Sequence, residues 1–64
     1  MNDKQVKIEV ELNASEAWAF AQFLKRVGHS DYLPLAENED EAYQMRYAGG
    51  KIQDALAVEG FKPR

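Results

Sequence analysis

The chain has 64 residues, 45% hydrophobic and 30% charged, with a net charge of −3 and a pI near 5.0. That length accommodates one small domain, residues 1–64, and the composition is that of a folding chain rather than a disordered one. Cysteine and threonine are missing and there are two serines and one histidine, which excludes thiol chemistry and disulfide staples and leaves little for a nucleophile–base pair. The expectation is a protein that is not an enzyme, with no catalytic residue, cofactor or metal.

Residues 5–12 alternate, with Val6, Ile8, Val10 and Leu12 on one side and Lys7, Glu9 and Glu11 on the other. Period two with β-branched residues predicts a half-buried strand. Asn13 followed three residues later by Glu16 has the form of a capping box and starts a helix over about 14–27. In it Ala17, Phe20, Leu24 and Val27 share one stripe, with Lys25 and Arg26 suited to its negative end and Gly28 as the stop. Trp18 is expected to pack on the second helix opposite a small residue such as Gly49.

Residues 29–37 read as a connector, because Pro34 interrupts regular helix there. Leu33 and Leu35 are expected to tuck into the core. Asn38 with Glu41 repeats the capping pattern and begins a second helix over about 39–58, with Gly60 as its stop. Gly49 and Gly50 sit mid-helix at a cost on the order of 1 kcal/mol each relative to alanine. The apolar stripe of Ala42, Met45, Gly49, Ile52 and Leu56 keeps its phase across the pair, so one continuous helix with close packing at Gly49 is expected rather than a kink.

The predicted class is therefore α+β, one N-terminal strand followed by two α-helices. A lone strand leaves backbone groups unpaired, so the expected strand pairs with a short segment of 30–36 or across a dimer. The chain is a monomer or a homodimer on this reading.

Charge is uneven along the chain. Residues 1–30 balance four acids against four bases, whereas residues 31–64 hold seven acids and four bases. From Val27 to Met45 there are Asp31, Glu37, Glu39, Asp40 and Glu41, with neither Lys nor Arg. Such a run repels nucleic acid and anionic lipid and attracts basic surfaces. The plain reading is a solvated, well-capped helix start. The functional reading is a set of carboxylates presented to a nucleic-acid-binding protein, since extended peptide rises at about the 3.4 Å of successive phosphates. Tyr43 and Tyr47, four residues apart and away from the apolar stripe, add aromatic anchors of the kind found at binding hot spots. Asp31, Glu37, Glu39, Asp40, Glu41, Tyr43 and Tyr47 are thus the candidate partner-binding residues.

His29-Ser30-Asp31 is not a catalytic triad, because triad members are placed by folding rather than adjacency. His29 is expected to end the helix or donate to a carbonyl. The acids around residue 39 lack the spacing of a calcium loop. The polar Met1–Asp3 is unlike an export signal, and no apolar run approaches the ~18 residues of a membrane span. A cytoplasmic protein without membrane contact is expected.

The stretches Ala-Gln-Phe-Leu-Lys-Arg-Val-Gly (21–28), Asp-Glu-Ala-Tyr-Gln-Met-Arg (40–46) and Gly-Phe-Lys-Pro-Arg (60–64) resemble a family of very small uncharacterised acidic proteins carried by phages and mobile elements of Proteobacteria. The similarity runs from about residue 6 to 64. Proteins of this size and acidity in that setting include anti-CRISPR proteins, and the chain is similar to an inhibitor of a type I system. The resemblance implies binding to the Cascade complex, in the cytoplasm of the bacterial host, with target DNA excluded and no direct nucleic-acid binding. It carries over no functional residue.

A second expectation is a ribbon-helix-helix DNA-binding dimer, or an antitoxin or transcriptional regulator of a mobile element. Its order is strand–helix–helix, with outer strand residues in the major groove. Those would be Lys7, Glu9 and Glu11, and two carboxylates are poor readers of DNA. The connector around Pro34 is also longer than the turn of that fold.

Overall fold

A computed structural model describes residues 4–64; Met1–Asp3, with their polar N-terminal start, lie outside the described residues. The regular structure among the described residues is helical, with no strand. Helix α1 spans Ala14–Arg26, the four-residue α2 spans His29–Tyr32, a 3-10 turn spans Leu33–Leu35, and α3 spans Glu39–Val58. The expected α+β class is therefore corrected to all-α.

The correction lies at the N-terminus. Residues 4–13 carry the alternating pattern of a strand but no regular structure, and Val6 (79%) and Ile8 (69%) are largely exposed. A strand exists only when another backbone pairs with it, and the expected partner, 30–36, is wound into α2 and the 3-10 turn. The ribbon on which the ribbon-helix-helix expectation depends is thus not formed among the described residues.

The helices lie close to their predicted limits, for reasons local to the chain. At α1 the capping box is complete. Glu16 N–H donates to Asn13 Oδ1 at 2.8 Å and Asn13 N–H to Glu16 Oε1 at 2.9 Å. Lys25 and Arg26 occupy the last turn. The helix ends not in a left-handed glycine but through extended Val27, whose N–H still reaches Phe23 O at 2.9 Å. Gly28 begins the next element instead, at φ −118°.

At α3 the capping differs by one residue from the box expected. Glu41 N–H donates to Asn38 Oδ1 at 2.8 Å, but the Glu41 carboxylate accepts from Glu37 N–H at 2.9 Å, one residue before the cap. The far end is a Schellman motif: Phe61 N–H donates to Leu56 O at 2.9 Å and Gly60 N–H to Ala57 O at 3.0 Å. Gly60 adopts φ +97°, a left-handed conformation that glycine takes without penalty.

Helices α1 and α3 run antiparallel. Ala17 and Ala21 cluster with Leu24 and Leu56, and Phe61 packs on that cluster. Trp18 at the start of α1 meets Phe61 beyond the end of α3, ring centroids 5.2 Å apart and 70° between planes. This edge-to-face pair corrects the expected placement of Trp18 over Gly49. Tyr32 occupies that place: a Cβ on Gly49 would lie 2.6 Å from its hydroxyl and 3.5 Å from Leu24 Cδ2. Close packing at Gly49 within one unbroken helix holds, with Tyr32 as the neighbour. Leu33 and Leu35 do not enter the core and are exposed, since the 3-10 turn carries them along the surface. Pro34 fits that turn near its start, where an N–H is not required.

Candidate functional site

Glu39, Asp40 and Glu41 lie in the first turn of α3, with Glu37 just before its cap, and Asp31 lies on α2; the fold employs them unequally. Asp31, on α2, turns its carboxylate back onto Gly28 N–H at 2.8 Å, and Glu41 is held by Glu37 N–H. These two are capping groups. Glu37, Glu39 and Asp40 are exposed, and among the described residues their carboxylates make no hydrogen bond or ion pair that ties them to the fold. Glu39 and Asp40 lie in the first turn of α3, where negative charge is favoured by the helix dipole.

Tyr43 and Tyr47 extend this group along the helix. At about 100° per residue, Glu39, Asp40, Tyr43, Tyr47 and Asp54 fall within one sector of α3 roughly a quarter-turn wide. The tyrosine rings stack with centroids 6.3 Å apart, and Tyr47 is 57% exposed. His29 joins the row from α2, its ring 4.5 Å from Tyr43 and tilted by 31°. Its Nδ1 is buried without a hydrogen-bond partner, so the imidazole serves here as a packing surface for Tyr43 rather than as a helix-ending donor. The sequence offered no signal for this role, because the pairing depends on α2, a helix too short to show periodicity.

Beyond Tyr47 the character changes. Gln44, Arg46, Tyr47, Gly50, Lys51 and Asp54 line a shallow open cleft, and Arg46 and Lys51 end the acidic stretch. The surface is therefore bipartite: free carboxylates at the cap, then exposed aromatic rings bordered by two cations. No group of His, Asp or Glu side chains among the described residues is arranged to hold a metal ion. No helix among them is long and apolar enough to cross a membrane.

A model of one protein family matches residues 1–64, the whole chain. The chain belongs to DUF7706, a family of unknown function. No curated protein and no solved structure matches it.

Proposed function

We propose that this DUF7706 protein is a non-catalytic acidic docking protein that engages a basic, nucleic-acid-binding surface of a protein partner. The supporting observation is the contrast between committed and uncommitted acids. Asp31 and Glu41 cap helices, whereas Glu37, Glu39 and Asp40 are exposed, and Glu39 and Asp40 share a sector of α3 with Tyr43 and Tyr47. Solvated carboxylates next to an aromatic anchor supply the two parts such an interface uses, long-range attraction and a desolvated contact.

The partner that the resemblance to anti-CRISPR proteins suggests is a type I Cascade complex of a Proteobacterial host, acted on in that cell's cytoplasm. CRISPR effectors hold nucleic acid in positively charged channels, and an acidic patch is steered toward such a channel. Occupying it would exclude target DNA.

The test is co-purification of the tagged protein from a Proteobacterial lysate containing a type I system, at low and high salt, with mass spectrometry of retained proteins. Recovery of Cascade subunits that falls at high salt is expected. Recovery of DNA in place of a basic protein, or recovery indifferent to salt, contradicts the proposal.

A further inference from the structure

The sector of α3 that faces away from the core is complementary to itself. At about 100° per residue, Glu39, Asp40, Tyr43, Tyr47, Gly50 and Lys51 share one side of the helix, opposite the buried Ala42 and Leu56. The sector begins with two acids and ends with a cation, and the two tyrosines lie between. Tyr43 and Tyr47 are 36% and 57% exposed. Glu39, Asp40 and Tyr43 precede Met45 by as many residues as Lys51, Gly50 and Tyr47 follow it. An antiparallel second α3, laid along this sector with its midpoint at the level of Met45, therefore sets Glu39 against Lys51, Tyr43 against Tyr47 and Asp40 against Gly50. Two-fold symmetry makes each of these contacts twice. Arg46 falls opposite Gln44, and Asp54 falls beyond the start of the second α3, so this register apposes no like charges.

Gly50 supplies a second, independent observation. A mid-helix glycine weakens a helix, and at Gly49 the Tyr32 hydroxyl, 2.6 Å from a would-be Cβ, accounts for it. At Gly50 nothing lies within 4 Å of a would-be Cβ, so no contact within the chain calls for glycine there. In the antiparallel register Gly50 lies opposite the second copy's Asp40, and the missing side chain lets the two helices approach. The charges are available for the contact. Among the described residues Lys51 makes no ion pair, although Asp54 is three residues on, and the carboxylates of Glu39 and Asp40 make no hydrogen bond.

We infer that this chain pairs with a second copy through α3, antiparallel, with four tyrosine rings at the centre and a Glu39–Lys51 ion pair at each end. Tyrosines at the centre and charges at the rim is the usual anatomy of an interface. The contact is one helix wide, so the association is weak and concentration-dependent. It uses the surface proposed above for docking but does not rest on that reading: the pair covers Glu39, Tyr43 and Tyr47, and a basic partner competes with the second copy for them. A wild type that pairs but does not bind Cascade retains this inference and loses the docking reading; one that binds Cascade and stays monomeric does the reverse.

Sedimentation equilibrium from about 10 μM to about 1 mM should show the mass rise from 7.3 kDa toward twice that value; a single 7.3 kDa species throughout overturns the inference. Glu39→Lys alone apposes cations at both ends and Lys51→Glu alone apposes anions. Each should associate at least about tenfold more weakly, with helical circular dichroism retained. Mixing the two variants restores opposite charges at both ends, so the mixture should pair as the wild type does, and a mixture no more associated than its components overturns the register. Net charge alone gives a different pattern, because Glu39→Lys makes a chain of −3 less acidic and would then strengthen association. Gly50→Gln introduces a good helix former and should also weaken the pair; undiminished association contradicts a close approach there. If a charge variant fails to fold, wild-type protein mixed from isotopically labelled and unlabelled chains decides the question by NMR. Intermolecular contacts between the Tyr43 and Tyr47 rings are expected, and a dimer lacking them overturns the arrangement.

Discussion

The hydroxyl of Tyr32 stands 2.6 Å from where a Cβ on Gly49 would lie. Glycine at that position leaves room for the Tyr32 hydroxyl against α3, and that contact offsets part of the helix-propensity cost of a mid-helix glycine. Gly50, the next residue, has nothing within 4 Å of its would-be Cβ.

The two glycines therefore respond oppositely to alanine. Gly50→Ala should stabilise the fold by up to about 1 kcal/mol, the helix-propensity difference. Gly49→Ala should lose that gain, because the Tyr32 hydroxyl must move. In a Tyr32→Phe background the nearest ring atom is then the former Cζ at 3.7 Å, an ordinary contact, and Gly49→Ala should recover about 1 kcal/mol. Urea denaturation of the four combinations measures the coupling; strict additivity would show that Tyr32 does not pack there.

Gly60→Ala should destabilise by about 1–2 kcal/mol, the cost of a left-handed backbone for a residue bearing Cβ. The same change loosens the Schellman motif that turns Phe61 onto Trp18. Since Trp18 is the only tryptophan, its fluorescence reports this directly: emission should shift to the red in Gly60→Ala and in Phe61→Ala. An unchanged spectrum would mean that the 5.2 Å ring pair does not shield the indole.

Asn13→Ala removes the oxygen that accepts Glu16 N–H and should cost about 1 kcal/mol. Asn13 and Glu16 bond each other reciprocally, so a double-mutant cycle between them should show coupling. Asn38 and Glu41 share one bond only, the Glu41 carboxylate being turned to Glu37, and their coupling should be smaller. Equal coupling at both sites would contradict the different capping geometries.

Val6→Ser and Ile8→Ser should each change stability by no more than about 0.5 kcal/mol, as expected for exposed side chains outside any packed element. A loss above about 1 kcal/mol in either would show that residues 4–13 bury their apolar side chains.

The helices were legible because their signals are local. Asn13 and Glu16, Asn38, the stripe through Ala42 and Leu56, and Gly60 each act within a few residues, and they set the limits of α1 and α3. The strand failed because alternation at Val6, Ile8, Val10 and Leu12 states which side chains could share a face, not whether another backbone is there to pair. The segment expected to supply one forms α2, a helix stabilised by Asp31 capping Gly28 and by the contacts of Tyr32 and His29 with α3. Those contacts join residues 14 to 17 positions apart and leave no periodic trace. The acidic cluster was legible as composition, but its division into capping and free carboxylates was not, since it depends on which way Asp31 and Glu41 turn.

That division gives the most direct test of the account. Binding of purified type I Cascade should be measured for the wild type and for a variant carrying Glu37→Gln, Glu39→Gln and Asp40→Asn, which leaves the capping residues Asp31 and Glu41 in place. With circular dichroism unchanged, the variant should bind at least tenfold more weakly, a loss of about 1.4 kcal/mol, and with reduced salt dependence. Wild-type affinity in the folded variant, or no binding by the wild type itself, would contradict it.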